Sequence, residues 1–508
     1  VDVPYNTVVD GESVRESFRD TLLIERLKTA LQKLNPWMGD QQMTQALHAI
    51  THLTGSKLME RNQAAMELLV KGVPVDVDPD QHGIKTKTAR IFDFDEASNN
   101  DFLAINQFRV DILGSRSFCI PDLVLFANGI PLVVVECKNP SASNPVEAAI
   151  TDLLKYSNQR DNDEQEGVER LFDFNLFMVA TTFYEARSGT IGARPKHYME
   201  WKDTSPVPMS EVAEKLQEKL PEILDYPPQE GTEEAQSKKL TRLSSQQMLI
   251  AGMLHPDRLL DLLHNFVLFA DDAGRTVKIL ARYQQYRAVH EAIHRLQTRQ
   301  TREQHGEVDQ RGGIIWHTQG SGKSLTMVFL IRKMRTIDYF RPFKIVVVTD
   351  RRSLERQLSE TAELTGEPIT KVKKTRQLQG VLSQDGPGLV FAMIQKYQVK
   401  DTDEESDAID DDKVVSDEDV ELGLCNASER ILVLVDEAHR SHGNSLHGNL
   451  IRALPNCAKI GFTGTPIMQA NKLKTETIFG GFIDVYTIKQ SQDDGATRRI
   501  RYEGWSVD

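Results

Sequence analysis

The sequence has little cysteine, and what it has is scattered. Cys119, Cys137, Cys425 and Cys457 are the only four in 508 residues, and none lies near another. That excludes a disulfide framework and the paired spacing of a zinc knuckle, so burial as small apolar residues is expected. Long hydrophobic runs are also missing: none approaches the roughly 20 residues needed to cross a bilayer. The first ten residues lack a basic segment followed by an apolar one, so no secretory signal is read. A cytoplasmic protein with no membrane partner is expected. An initiating Met is absent too; Val1 opens the chain, and the numbering is expected to describe a trimmed product.

Positive charge is in short supply, with 61 Lys and Arg against 74 Asp and Glu for a net −13. Taken whole, that balance argues against a nucleic-acid partner. Its distribution removes the objection. Between Asp401 and Leu422 stand twelve acidic residues and one Lys, which leaves only −2 for the rest of the chain. Such a block is expected to be a disordered, solvated surface insertion, and the remainder is free to present basic faces to phosphate.

What is present is a soluble globular composition, 40% apolar and 27% charged, in a chain too long for one core. Residues 11–70 read as helices, with Leu22, Leu23, Leu27, Leu31 and Leu34 at helical spacing and Asn35-Pro36 as the stop. From Ile91 to Val135 the pattern turns to strands: IFDF, INQFRVDI, FCIPDLVLF and IPLVVVE. Asn128-Gly129 joins the last two as a hairpin. A helix over about 146–156 and the strand NLFMVATTF follow. A linker region with some helix is expected over 203–243, rich in Pro, Glu and Ser. Beyond it, the apolar strands GIIWHT, KIVVVTD, GLVFAMI, ILVLV and AKIGF alternate with helical stretches, the pattern of a parallel sheet covered on both faces. The fold class expected is α/β, with domains at 1–202 and 244–475 and a connecting segment at 476–508.

Two constellations carry chemistry. The first is His317-Thr318-Gln319-Gly320-Ser321-Gly322-Lys323-Ser324, between a strand and a helix. Backbone N–H groups of such a loop and the helix N-terminus face phosphate, Lys323 reaches the β/γ phosphates, and Ser324 binds Mg²⁺. His317 stands where the G-x-x-x-x-G-K-[ST] pattern has its first Gly. Asp436, at the end of the strand ILVLV, is placed to hold a Mg²⁺-bound water, with Glu437 beside it to polarise the attacking water. Thr463-Gly464-Thr465-Pro466 follows AKIGF. The second constellation is Asp122, thirteen residues, Glu136, Cys137, Lys138. Residues i and i+2 of a strand share a face, and the hairpin folds Asp122 back beside Glu136. Two carboxylates so placed hold Mg²⁺, with Lys138 positioning a nucleophile or stabilising negative charge. Charged residues merely capping a hairpin are the plainer alternative.

The first constellation resembles the superfamily 2 helicases of the DEAH-box type. The resemblance implies that Gly320, Ser321, Gly322, Lys323, Ser324, Asp436 and Glu437 bind and hydrolyse ATP. It also implies that His439, Thr463 and Thr465 couple hydrolysis to DNA. ILARYQQYRAV is similar to the adenine-reading segment of these motors, with Gln285 as reader or else as a surface polar residue. VVVTDRRSLERQL is similar to a backbone-touching stretch, which makes Arg351 and Arg352 either DNA contacts or a solvated pair. The second constellation resembles the PD-(D/E)xK nuclease pattern, with Tyr156 on the following helix. Type I restriction motor subunits carry Gln-x-x-x-Tyr there; this chain has Asp152 at the Gln position, as a metal ligand or, more plainly, a surface residue.

A nuclease placed before a motor, together with SQQMLIAGMLHPDRLLDLLHNFVLF and WHTQGSGKS, resembles the motor and nuclease subunit of type I restriction enzymes. That implies a mixed-sheet nuclease domain followed by one RecA-like lobe. It further implies ATP and Mg²⁺ as cofactors, double-stranded DNA as substrate, and modification and specificity subunits as partners. No second lobe is read, so slow ATP hydrolysis is expected of this chain alone. The competing enzyme reading is a DNA repair helicase whose nuclease-like domain only grips DNA; a non-enzymatic one is an ATP-gated scaffold.

Overall fold

A computed structural model describes residues 15–160, 165–224, 243–349, 369–372, 375–393, 423–438, 452–465 and 476–497, with short pieces at 8–9, 12–13 and 450. Two compact units divide the chain, Val1–Tyr283 and Gln284–Asp508. The acidic block 401–422, His439, Arg351 and Arg352 lie outside the described residues.

In the first unit, helix α1 (Ile24–Leu34) buries Leu27, Ala30, Leu31 and Leu34, the stripe that its leucine spacing predicts. Asn35 ends it: its amide donates to the Leu31 and Arg90 carbonyls, and its side-chain oxygen accepts from Arg90 N–H. Helices α2 (Asp40–Thr51) and α3 (Leu58–Lys71) follow. The expected strand IFDF is not a strand. Ile91 and Phe92 are buried, but the Asp93 carboxylate accepts from the N–H groups of Asp95 and Glu96, a local turn that outcompetes ladder pairing.

The five-stranded sheet contains β1 (Phe102–Asn106), β2 (Leu123–Ala127), β3 (Ile130–Cys137), β4 (Phe177–Thr181) and β5 (Ala186–Gly189), neighbours in that order. It is mixed: β2 and β3 form the expected antiparallel hairpin, and β4 lies parallel to β3. Asn128 and Gly129 both have positive φ, 50° and 78°, as a two-residue hairpin turn of this hand requires. Helix α4 (Pro145–Tyr156) makes the crossover from β3 to β4 and buries Val146, Ala149, Ile150 and Leu153 in the core with Val124, Phe126, Val134 and Met178. Being covered on both faces, β3 is buried from Ile130 to Glu136, which explains its unbroken apolar run.

Residues 244–283 belong to this first unit, not to the second as their sequence position suggests. They hold α5 (Pro256–Asn265) and the hairpin β6 (Val267–Asp272) and β7 (Arg275–Leu280). Buried polar contacts fix them there: Lys278 Nζ donates to Asn62 Oδ1 at 2.9 Å and the Asn175 carbonyl at 2.6 Å, and Arg258 donates to the Thr204 carbonyl.

The second unit opens with α6 (Tyr283–Thr298) and builds a seven-stranded sheet. Its strands are β8 (Gly313–His317), β9 (Lys344–Thr349), β10 (Ile369–Val372), β11 (Gly388–Met393), β12 (Ile431–Val435), β13 (Ala458–Thr463) and β14 (Phe482–Tyr486). Spatially they run β10-β11-β9-β12-β13-β8-β14, and every pairing is parallel. Helix α7 (Lys323–Thr336) follows β8, with Thr326 and Met327–Arg332 buried. One boundary needs correction. Residues 476–508 were expected to be a connection, yet Phe482–Tyr486 is the sheet's edge strand, paired to Ile314–His317. Only alternate positions of this edge strand are buried, here Asp484 and Tyr486, and the acid at its centre interrupts an otherwise apolar run.

Candidate functional site

Each unit gathers its own cluster of charged side chains at the ends of interior strands of its sheet. In the first unit, Leu123 pairs with Val135, which sets Asp122 across from Glu136. Asp122 Oδ2 accepts from Cys137 N–H at 2.8 Å, and Oδ1 accepts from Gln107 Nε2 at 2.9 Å. Lys138 Nζ donates to Glu136 Oε1 at 2.6 Å and stands 2.7 Å from Asp152 Oδ2. Tyr156 makes a long 3.5 Å contact with Glu136 Oε1. Asp122, Glu136, Lys138 and Tyr156 are therefore brought together. Asp152 joins them and is no bystander on the surface: one turn of α4 puts it on the side of Tyr156.

The electrostatics follow from burial. Glu136 is 3% exposed, and desolvation raises its carboxyl pKa against the lowering effect of Lys138. Burial also works against the Lys138 ammonium, but its two carboxylate partners overcome this and raise its pKa. The Tyr156 phenol is pushed up, first by burial and then by Glu136 and Asp152. Glu136 Oε2 is buried with no hydrogen-bond partner. An orphaned carboxylate oxygen beside a second carboxylate suits a hard cation. Among the described residues no three or more His, Cys, Asp or Glu side chains close into a metal cage. An ion would thus draw on Asp122 and Glu136 together with backbone and phosphate oxygens.

In the second unit, Gly320 and Gly322 take φ of 83° and 87°, a left-handed backbone that glycine adopts without strain. They turn the chain so that Lys323 opens α7. Lys323 is 4% exposed, and its ammonium lies so close to Gly464 that a Cβ there would stand 2.6 Å from Nζ. Thr463, at the end of β13, is fully buried, and Thr465 is exposed. Ser321 is buried, its hydroxyl donating to the Thr318 carbonyl at 2.6 Å. Ser324 is half-buried in the first turn of α7. Asp436 follows β12; its N–H donates to the Val348 carbonyl, and its carboxylate accepts from Thr349 Oγ1 at 3.2 Å and Glu437 N–H at 3.0 Å. Glu437 has φ 49°, a conformation costing a non-glycine residue about 1–2 kcal/mol. Gln285 is not a surface residue. It is 2% exposed, and its amide donates to the Gly322 carbonyl at 3.1 Å.

Sequence reasoning missed Gln107, Arg287 and Asp484. Arg287 Nε donates to Asp484 Oδ1 at 2.7 Å, and His317 Nε2 lies 2.6 Å from Asp484 Oδ2. A carboxylate inside the apolar segment FIDVY was the available signal. The departure from glycine at His317 thus has a structural reason: the imidazole fills buried space behind the loop and meets an acid. Among the described residues no helix is long and apolar enough to cross a membrane.

Comparison with known proteins matches each unit separately. Residues 4–197 match the family model for the type I restriction enzyme R protein N terminus, and residues 284–508 match that for the SWI2/SNF2 ATPase. The HindI endonuclease subunit of a type I restriction enzyme from Haemophilus influenzae is 32% identical over 517 residues, spanning 98% of this chain and 43% of its own length. The MjaIXP protein of Methanocaldococcus jannaschii, whose type I endonuclease-subunit name is provisional, is 27% identical over 497 residues, 97% of this chain and 43% of its own. The solved Pyrococcus furiosus Hef helicase domain overlays 42% of this chain and 41% of its own at 16% identity, with a TM-score of 0.26. This chain spans less than half the length of these curated relatives. With one family model on each unit and likeness to endonuclease subunits along nearly its whole length, the chain belongs to the R-subunit family of type I restriction enzymes.

Proposed function

We propose that this chain forms the nuclease and part of the motor of a type I restriction complex, cutting double-stranded DNA in the first unit and using ATP in the second to move it. In this reading the second unit is a RecA-like lobe, the first is a PD-(D/E)xK nuclease, and modification and specificity subunits complete the assembly in the cytoplasm. The observation that carries it is the convergence of Asp122, Glu136 and Lys138 at one end of the β2–β3 hairpin, with Glu136 Oε2 buried and unmatched.

Asp122 and Glu136 would hold Mg²⁺, which when bound would supply an activated water and shield the scissile phosphate. The Lys138 ammonium, kept protonated by its two carboxylates, faces the charge that gathers on phosphate, and Tyr156 packs the lysine's carboxylate partner. In the second unit, Gly320–Gly322 and Lys323 would cradle the triphosphate, and Ser324 and Asp436 would hold the Mg²⁺ that accompanies it. Glu437 orients the attacking water, and Gln285 reads adenine through its two-sided amide. Thr463 and Thr465, flanking the Gly464 that lies against the Lys323 ammonium, relay the state of the phosphates; His439, Arg351 and Arg352 keep the DNA-side roles that resemblance gives them.

The test is phage restriction by the full-length gene expressed with its neighbouring genes. Lys138→Ala and Lys323→Ala are each expected to abolish restriction. In the purified complex, Lys138→Ala is expected to keep DNA-stimulated ATP hydrolysis while losing cleavage. Wild-type cleavage by Lys138→Ala would sink the nuclease assignment and favour a domain that only grips DNA.

A further inference from the structure

Buried His317 and Asp484, joined by the half-buried Arg287, lie outside every role given above. Asp484 stands on the edge strand β14 with its side chain 7% exposed, and His317, ending β8, is fully buried. The Asp484 carboxylate takes three bonds: Arg287 Nε at 2.7 Å, Arg287 Nη2 at 3.2 Å and His317 Nε2 at 2.6 Å. Arg287 Nη2 also reaches the Val485 carbonyl at 3.5 Å. Next to this knot, Thr318 N–H donates to the Tyr486 carbonyl at 3.0 Å. Strand β14 is therefore tied to the first two residues of the phosphate loop.

Helix α6 carries both Arg287 and Gln285. Residues two apart on a helix point roughly 200° away from each other. Gln285 therefore meets the loop at Gly322 while Arg287 is pulled the other way, to Asp484. A planar guanidinium held at two nitrogens fixes direction as well as distance, which a lysine cannot do. The helix bearing the base-reading amide and the loop bearing the phosphates thus share one buried anchor.

We propose that Asp484 is a specificity-determining positioning residue of the nucleotide site. Through Arg287 and His317 it sets Gln285 against the phosphate loop, so that preference for adenine over guanine nucleotides depends on a carboxylate that never touches the nucleotide. The proposal rests on the ATP-site reading of the second unit.

The experiment titrates the 508-residue chain with fluorescent analogues of ATP and GTP, comparing wild type with Gln285→Ala, Asp484→Asn, Arg287→Lys and Lys323→Ala. Asp484→Asn and Arg287→Lys are expected to lower the ATP-to-GTP affinity ratio about tenfold, chiefly by weakening ATP, a size typical of losing one oriented polar contact. Combining Asp484→Asn with Gln285→Ala should add little to either alone, because both act through one contact. An unchanged ratio in folded variants overturns the proposal. So does an equal loss of both nucleotides with a lowered melting temperature, which is the mark of a merely structural acid. If Asp484→Asn does not fold, Arg287→Lys, which keeps the charge, decides by the same two results. Wild type that binds both nucleotides equally, with binding lost in Lys323→Ala, overturns this inference and leaves the phosphate-loop reading standing. Absence of any nucleotide binding by wild type removes that reading itself.

Discussion

Lys138, just past the end of β3, places its ammonium 2.6 Å from the carboxylate of Glu136, two residues before it. Glu136 is almost wholly buried, so this is the ion pair that makes its charge tolerable without a metal. The second oxygen of Glu136 has no such partner. The first unit therefore keeps an acid whose burial works against its own charge, an arrangement that favours function over stability.

Glu136→Gln should separate those two quantities. Without divalent metal the variant is expected to melt a few degrees above wild type, since about 1 kcal/mol moves a unit of this size by a few degrees. Added Mg²⁺ should raise the melting temperature of wild type and leave the variant unmoved. Equal Mg²⁺ shifts in the two proteins, read by calorimetry, would remove Glu136 from the proposed metal site.

Gly464→Ala tests whether the Thr463–Thr465 turn and the phosphate loop are mechanically joined. The new methyl would sit 2.6 Å from Lys323 Nζ, so the ammonium at the end of its flexible side chain must give way. Nucleotide affinity is expected to fall about tenfold or more with little change in the unfolding of the first unit. Fluorescent nucleotide titration gives the answer, and unchanged affinity would show that Lys323 can retreat freely.

Lys278 gives a pH dependence whose sign is fixed by burial. It is fully buried against Asn62 and Asn175, and desolvation holds its amine well below the usual 10.5. A depressed folded-state pKa means stability that is complete above the unfolded value and is lost as pH falls. The first unit should therefore gain stability from pH 7 toward pH 10, by at most about 1.4 kcal/mol per pH unit from this group. Lys278→Met should lose that gain. Matching slopes in urea melts of both proteins would show that Lys278 is charged in the folded state.

Gly129→Ala should weaken the hairpin that carries Asp122 and Glu136. At φ 78° a Cβ would lie 2.5 Å from the Leu23 carbonyl oxygen, and the backbone strain alone is about 1–2 kcal/mol. A drop of several degrees in the first transition is expected, with the second unit's transition unmoved. An unchanged first transition would mean that the turn relaxes.

Much of this was legible in residue order because the signals are local. The alternation within a strand put Glu136 and Lys138 on one face, Asn128-Gly129 demanded a two-residue turn, and the leucines of α1 repeat at helical spacing. The strand–loop–helix around Lys323 was likewise written into consecutive residues. Each of these depends on backbone geometry within a few positions, which neighbouring side chains dictate.

What the sequence could not give is pairing between distant segments. Asp152 reads as one more polar residue on a helix until the crossover from β3 to β4 lays α4 beside Lys138. Residues 244–283 read as the start of a second block until Lys278 is seen buried beside Asn62, more than two hundred residues earlier. Asp484 reads as an interruption in FIDVY until β14 pairs with β8 and sets it between Arg287 and His317. Side-chain chemistry and local periodicity determined which elements form and which groups could react. Only the packed sheet decided which charges would share a low-dielectric interior, because that energy depends on distance in space and not on separation along the chain.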